Sequence, residues 1–263
     1  VFINGSIRHG IRLFTPGNLF RSIVCRLSPW VIANSVAGLK ANHLSAGPRR
    51  FVLYNGVESR FVNSLTASER ESLRERIIPG YGSRRARVFI SVANFVPFKD
   101  YFTVIKALAR YRAHEDFLYV IVGEGPLRKE VEEAVRASSL EENVIFTGRT
   151  TNIRDLLFVS DLYIHSSRGE GVSNAILEAM QAGLPVITTD TGGVRETVFP
   201  GSSLVYGYGN EDALYDCLLG SARLPGPAAE KPPGYYKHLG MFSEESMISR
   251  FFGIIDNISG QAG

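Results

Sequence analysis

An α/β fold built on a doubly wound parallel sheet is what this sequence predicts, and three observations predict it. Short, nearly continuous apolar runs recur at Val88 to Val92, Phe117 to Val122, Val144 to Phe146, Leu162 to Ile164, Val186 to Thr188 and Ser203 to Val205. Amphipathic stretches separate them, and Gly, Pro or Asn mark the joins. Strands buried on both faces read as unbroken apolar runs, and parallel neighbours need a long crossover between them. Helices therefore cover both faces of one sheet, in a Rossmann-like arrangement.

The elements follow in chain order. Val1-Phe2-Ile3 reads as a strand entering mid-sheet. Leu19 to Leu27 reads as helix, Trp30 to Ala33 as strand, the stretch through Lys40 as helix and Phe51 to Tyr54 as strand. Asn55-Gly56 is a strong turn signal. A charged stretch then runs to about Arg87, helical near Ser68 to Arg76 and broken at Pro79-Gly80. From Val88 onward the predicted helices are Phe102 to Arg112, Leu127 to Ser138, Asn152 to Phe158, Asn174 to Ala182, Val194 to Phe199 and Glu211 to Ser221. Pro225 to Gly234 is a Pro/Gly-rich loop. A final helix spans Glu244 to about Ile258, with Ser243 as its cap.

Composition narrows the function classes. At 263 residues, 44% hydrophobic and 21% charged, the chain is an ordinary globular protein. No apolar run approaches the ~20 residues that span a bilayer, and no secretory signal opens the sequence. Cys25 and Cys217 lack CxxC spacing and read as buried small hydrophobes, consistent with a reducing, cytoplasmic setting. Net charge is +3, yet Arg8, Arg12, Arg21, Arg26, Lys40, Arg49 and Arg50 all precede the first acid, Glu58. A solvated basic face is one reading. The other is attraction to an anionic membrane surface, worth about 1 kcal/mol per basic residue. Nucleic acid is set aside, because no recognition motif accompanies the charge.

Ligands of doubly wound sheets bind beyond the carboxyl ends of the strands, where loops enter helices. Three such loops carry chemistry. Asn94-Phe95-Val96-Pro97-Phe98-Lys99 ends with a lysine just before a helix, where an ammonium and a helix start both favour phosphate. Gly123-Glu124-Gly125-Pro126 is a GxG turn that structure alone would explain. Ser166 to Ser173 contains Glu170 between glycines, and Ser173 is placed to cap the next helix and leave the N–H groups of Asn174 and Ala175 partly open.

Ile176, Ala179, Met180 and Gly183 form that helix's buried stripe, and Glu178 lies about 200° round from Ile176. A surface glutamate is the default there. Its small neighbours would nevertheless let a ribose approach, and a carboxylate accepts from two hydroxyls. His165 reads as a structural histidine or a pocket wall. Gly192-Gly193 reads as a plain turn or as close backbone approach to a ligand. The chain has no DxD, HExxH, GxSxG or GxxxxGK[ST] pattern.

The spacing Glu170-x7-Glu178 in EGVSNAILE, followed by AMQAGLPVITTDTGGVRE, resembles the signature of retaining glycosyltransferases of family 4 (group 1), which have the GT-B fold. Further segments are similar in order: WVIANSVAG and FVLYNGV to the end of that family's first domain and its crossing, SVANFVPFKD to its diphosphate loop, VIVGEGPLRKEVE to the next strand–turn–helix. FTGRTTNIRDLLFVSDLYIHSSRGEG resembles its base-binding region, and FSEESMISRFF its returning C-terminal helix.

The resemblance implies a division of labour. Glu170, with the N–H groups of Gly171 and Val172, would hold the donor sugar's hydroxyls, and Glu178 the ribose. Lys99 and the Ser173 helix start would neutralise the diphosphate, while backbone at Gly148 and Arg149 meets the base. The anomeric configuration would be retained, and no metal or other cofactor is implied. The family's usual arginine before the lysine is missing, with Asn94 and Val96 at the matching places; Arg168 is the candidate replacement. INGSIRHG resembles a late strand of the acceptor domain, with Arg8 or His9 where many relatives place a histidine.

These readings give an expected organisation. Residues 1–57 are the end of an acceptor (N-terminal) domain, 58–240 the GT-B donor-binding domain and 241–263 a helix crossing back, in a fragment of a longer protein. The expected activity is hexosyl transfer from a nucleotide-diphosphate sugar to a glycan or lipid-linked acceptor, peripheral on the inner face of a membrane. A nucleotide-sugar epimerase of the same architecture and a binding-only nucleotide-sugar module are the rival readings.

Overall fold

The computed structural model describes residues 2–3, 23–58 and 65–260. Arg8 and His9, expected to line the active site, lie outside the described residues. Two parallel sheets organise the chain. The smaller has three strands in order β1 (Phe2–Ile3), β2 (Val31–Ala33) and β3 (Arg50–Val52). Helix α1 covers residues 23–27, and α2 spans Val36–Ala41. Cys25, Val31, Ala33 and Leu39 form the small core between them. Ser35 caps α2: its backbone is extended and its hydroxyl accepts from the Gly38 amide at 2.9 Å.

The larger sheet has six parallel strands: β4 (Arg87–Val92), β5 (Phe117–Val122), β6 (Val144–Gly148), β7 (Leu162–His165), β8 (Val186–Thr189) and β9 (Ser203–Tyr206). Their spatial order is β6-β5-β4-β7-β8-β9. The chain thus winds outward from β4 in one direction, then returns and winds outward from β7 in the other. That reversal opens a crevice between the carboxyl ends of β4 and β7, where doubly wound sheets bind their ligands.

Both faces of this sheet are covered, as the apolar strands predict. On one face Val88, Ile90, Val120, Tyr163 and Val186 pack with Ile176, Ala179 and Met180 of α8 (Asn174–Gln181). On the other, Phe89, Tyr119, Ile121 and Ile187 meet α5 (Tyr101–Tyr111), α6 (Arg128–Ala137) and α10 (Glu211–Gly220). Every residue of β5, the strand inside the first winding, is buried.

At the amino ends of the strands, α3 (Ala67–Ile77) is tied down through Asp161. The Arg70 and Arg74 guanidinium groups both donate to Asp161 Oδ1 at 2.9 Å, and the Val88 amide donates to Oδ2 at 2.8 Å. Thr66 and Glu69 close a reciprocal capping box at the start of α3.

The two sheets are joined where the chain passes from one to the other and back. Val57 bridges Ser243 in parallel, with its amide donating to the Phe242 carbonyl at 2.8 Å. Val57, Val172, Leu177 and Phe242 are buried together, and the Tyr54 and Phe242 rings sit 5.1 Å apart. Gly56 leaves room for this pairing, since a β-carbon there would stand 2.8 Å from the Glu244 Cα.

Three stretches differ from the expected elements. The third strand runs Arg50–Val52, and the Leu53 amide still pairs with the Ala33 carbonyl at 2.8 Å. Two short helices, α4 (Tyr81–Arg84) and α11 (Tyr235–Gly240), occupy stretches to which the sequence assigns no element. Each follows a glycine at positive φ, Gly80 and Gly234, which turns the chain sharply into a helix too short for a periodic signal. Between α11 and the expected helix α12 (Glu244–Gly260), Ser243 Oγ accepts from the Ser246 amide at 3.1 Å.

Candidate functional site

The crevice between β4 and β7 brings together Lys99, His165 and Glu170. Lys99 follows β4, whereas His165 ends β7 and Glu170 lies in the loop beyond it. An isolated antiparallel bridge between Lys99 and Ser167 ties the two loops, and the Arg168 amide donates to the Phe98 carbonyl at 2.7 Å. This places the Lys99 ammonium against Glu170 Oε1 in an ion pair. His165 Nε2 lies 3.2 Å from the same oxygen and 3.3 Å from Lys99 Nζ.

Burial sets the electrostatics of the cluster. His165 is enclosed at 2% side-chain exposure, and burial, then the Lys99 charge, pushes its imidazole below the usual range. It is neutral at physiological pH and serves Glu170 as donor or Lys99 as acceptor. For Glu170, burial opposes ionisation, but the hydrogen bond from His165 and the Lys99 ammonium outweigh it. Its carboxyl is held well below the usual range, so the site keeps a negative and a positive charge side by side.

The Glu170 loop is densely hydrogen-bonded to the end of β8 and the loop after it. Thr189 Oγ1 donates to the Ser167 carbonyl at 2.7 Å and accepts from the Ser167 amide at 3.0 Å. Thr191 Oγ1 donates to the same carbonyl at 3.1 Å. The Gly193 amide donates to the Glu170 carbonyl at 2.9 Å, and Gly192, at φ 57°, passes so close that a β-carbon would lie 1.8 Å from that carbonyl oxygen. The Gly192-Gly193 pair therefore serves close backbone approach to the Glu170 loop itself.

Helix α8 begins at the rim of the crevice. Ser173 stands at its N-cap in extended conformation, yet its hydroxyl makes no capping bond. The first turn thus keeps the partial positive charge of a helix start without an oxygen from Ser173 to offset it. Asn174 accepts at Oδ1 from Asn55 Nδ2 at 2.8 Å, and Val172, buried, accepts at its carbonyl from the same amide group at 3.3 Å. Gly171 is buried, with its carbonyl against Gly193.

Glu178 is half-buried. It and Glu170 both act on one phenol: burial first, and then the two carboxylates, make the Tyr163 hydroxyl harder to ionise, and that hydroxyl donates to the Val92 carbonyl. The two glutamates of the spacing motif accordingly flank the same strand, β7.

Around the crevice the remaining predicted residues spread out. Gly148 has φ 68° and ends β6, where a β-carbon would stand 2.9 Å from Glu124 Oε1. Glu124 pairs with Arg128, whose guanidinium lies 5.6 Å from the centre of the Phe146 ring. Arg149 and Asn94 are exposed, and the Asn94 carbonyl accepts from the Val96 amide. Arg168 is exposed as well, within electrostatic reach of Tyr208. Its backbone amide binds the Lys99 loop.

One set of contacts has no counterpart in the sequence reading. Glu196, in the short helix α9 (Val194–Thr197), accepts from the Val36 and Ala37 amides of α2 at 2.8 Å each and from Tyr54 OH at 3.1 Å. Spacings of 159 and 160 residues leave no local signal for such a pairing. Among the described residues no group of three or more His, Cys, Asp or Glu could hold a metal ion.

Fold and crevice define a doubly wound α/β domain whose charged loops meet at its switch point. The chain belongs to the family described as glycosyl transferases group 1, whose pattern matches residues 74–218, just over half of its length. Among curated relatives it is 30% identical over 154 residues to N-acetyl-alpha-D-glucosaminyl L-malate synthase of Bacillus anthracis, covering 57% of this chain and 38% of that protein. It is 34% identical over 113 residues to the Vi polysaccharide biosynthesis protein VipC/TviE of Salmonella typhi, covering 43% of this chain and 20% of that one. It thus spans less than half the length of these relatives. The solved structure of Anabaena HepE in complex with UDP and glucose superposes with a TM-score of 0.77 at 23% identity, over 92% of this chain and 67% of HepE. The architecture is the Rossmann-like one of GT-B glycosyltransferases. These comparisons do not favour the epimerase and binding-only readings.

Proposed function

We propose that the protein moves a hexosyl group from a nucleotide-diphosphate sugar to a glycan or lipid-linked acceptor, with retention of anomeric configuration, in polysaccharide or glycolipid biosynthesis. The observation that carries the reading is the Lys99–Glu170–His165 cluster at the switch point, beside the start of α8. The resemblance to retaining family 4 enzymes supplies the reaction, and HepE, which holds UDP and glucose, supports the donor class.

In this reading the Lys99 ammonium and the first turn of α8 face the diphosphate. As the bond from the sugar to the β-phosphate breaks, negative charge grows on the departing diphosphate, and fixed positive groups stabilise it without reorganising. The ligand's phosphate takes Glu170's place beside Lys99, and Glu170 turns its accepting oxygens to sugar hydroxyls. His165, neutral and enclosed, keeps a hydrogen bond to the carboxylate through that exchange. Glu178 accepts from the ribose, backbone at Gly148 and Arg149 meets the base, and Arg168 supplies a second cation. No resident metal takes part in this scheme. The acceptor is held by the half of the cleft that carries the three-stranded sheet, on the cytoplasmic face of a membrane; no described helix is long and apolar enough to cross one.

Calorimetry of this chain with nucleoside diphosphates, and labelled nucleotide-sugar assays of the full-length protein, test the proposal. Expected are nucleoside diphosphate binding that survives chelator, and acceptor labelling with release of the diphosphate. An isomerised sugar would assign an epimerase, and binding without turnover a binding module. Arg168→Ala that binds nucleoside diphosphate as tightly as the parent would remove the second cation and leave Lys99 with the backbone.

A further inference from the structure

We infer that Glu196 is a positioning residue that clasps the three-stranded sheet onto the six-stranded one and so sets the width of the cleft between them. The inference rests on the transferase reading of that cleft. Both carboxylate oxygens are engaged: Oε1 accepts from the Ala37 amide and Oε2 from the Val36 amide, each at 2.8 Å, and Tyr54 OH adds a third bond to Oε2 at 3.1 Å. Ser35 Oγ takes the Gly38 amide. The leading amides of α2 are therefore shared between a residue of their own sheet and a carboxylate brought from the other. A helix start carries partial positive charge, so a carboxylate is the side chain best suited to grip it.

The surroundings are built for this contact. Gly193 comes so near Ser35 that a β-carbon would stand 3.0 Å from the serine's own. Burial, then Glu196, pushes the Tyr54 phenol up to about 12, which keeps its proton available for donation. The Arg250 guanidinium lies 5.4 Å from the centre of the Tyr54 ring, adding the returning helix α12 to the same contact.

Glu196 also shares a turn with the donor site. Gly193, one residue before α9, donates to the Glu170 carbonyl, and Gly192 lies against it. A shift of Glu170 on binding a sugar is thus transmitted through one rigid turn to the residue that holds α2. Coupling of this kind is reciprocal: donor sugar steadies the clasp, and the clasp steadies Glu170. Nucleoside diphosphate alone takes Glu170's place beside Lys99 but brings no sugar hydroxyls for Glu170 to hold, so its affinity depends little on where the clasp sets that loop.

Amide hydrogen exchange on this chain and kinetics of the full-length protein decide the matter, using Glu196→Gln and Tyr54→Phe. In Glu196→Gln, exchange at Val36 and Ala37 should accelerate at least about tenfold, because hydrogen bonds to a charged acceptor are lost. Tyr54→Phe keeps the ring and should give about a threefold change, and it carries the test if the first variant folds poorly. Nucleoside diphosphate affinity should stay within about twofold, while kcat for sugar transfer falls about tenfold and KM for the nucleotide-sugar changes less. Unchanged exchange, unchanged kcat, or equal loss of nucleoside diphosphate affinity and kcat would each overturn the inference. If the wild-type chain binds no nucleoside diphosphate, the transferase reading falls, while the exchange data still decide the clasp.

Discussion

Two carboxylates sit at opposite ends of the same strand, β7, and each is held by cations, but they are held differently. Asp161, at the amino end, is saturated: two arginines share Oδ1 and a backbone amide takes Oδ2. Its guanidinium partners are themselves engaged, with Arg70 Nε donating to the Phe158 carbonyl at 2.9 Å and Arg74 Nε to the Val159 carbonyl at 2.6 Å. Glu170, at the carboxyl end, receives both Lys99 and His165 on Oε1, and no contact to Oε2 is seen among the described residues. The first cluster binds protein to protein with planar, multidentate groups. The second uses a lysine, a mobile point charge that can change partners. Saturation marks the structural cluster, and exchangeable pairing marks the functional one.

The largest expected effect breaks the structural end. Asp161→Asn leaves two arginines facing an amide and should cost about 3–5 kcal/mol of stability, since removing one partner strands buried charge. Urea unfolding measures it, and a loss below about 1 kcal/mol would erase the contrast with Glu170. The pH dependence has a definite sign. Burial opposes ionisation of Asp161, but Arg74, Arg70 and the Val88 amide depress its pKa below the unfolded value. Its contribution is complete above about pH 4 and is lost as pH falls through the lower, folded value.

At the functional end the losses should appear in binding instead. Glu178→Ala should weaken nucleoside diphosphate affinity by about 2–4 kcal/mol, with Glu178→Gln losing less, because a carboxylate accepts from two ribose hydroxyls. Calorimetry showing parent affinity in the alanine variant would end that assignment. Lys99→Met should lose about 1.5–3 kcal/mol. That loss should shrink in high salt and be greater for the diphosphate than for the nucleoside. Folding stability should move by less than about 1 kcal/mol in the Glu178 variants, which strand no buried partner.

The smallest effect sharpens the comparison. Burial and Lys99 depress the His165 imidazole, so the unfolded chain binds its proton more readily than the folded one. Stability from this residue is complete above about pH 6.5 and is lost as pH falls toward the folded value. His165→Gln should therefore flatten the fall in stability between pH 7.5 and pH 5.5, read by denaturation at each pH. An unchanged slope would show that His165 is not held neutral by its surroundings.

Much of this arrangement is legible in the chain. The six strands of the larger sheet emerge within one or two residues of their observed ends, because buried parallel strands leave unbroken apolar runs. The loops after β4 and β7 stand out for the same reason, and so does Ser243 as a cap. What stays hidden depends on distance or brevity. Lys99 and Glu170 read as separate binding groups; their ion pair spans 71 residues and exists only once β4 and β7 are adjacent. His165 carries no motif, and its neutrality follows from enclosure. Ser173 stands where a cap belongs, yet whether its hydroxyl turns inward is a matter of rotamer. Glu196 is invisible because its partners are backbone amides, which every residue has.

The paired crossing at Val57 and Ser243 has a mechanical consequence. Two chain segments pass between the sheets side by side, hydrogen-bonded to each other and packed on Phe242. Tethers fastened along one line resist sliding and twisting but leave swinging about that line comparatively soft. Relative motion of the two halves then reduces to a single coordinate, an opening angle, with Glu196 as the latch that joins α9 to α2 and, through Tyr54, to the crossing itself. One distance between a label on α2 and a label on α8 is enough to follow it.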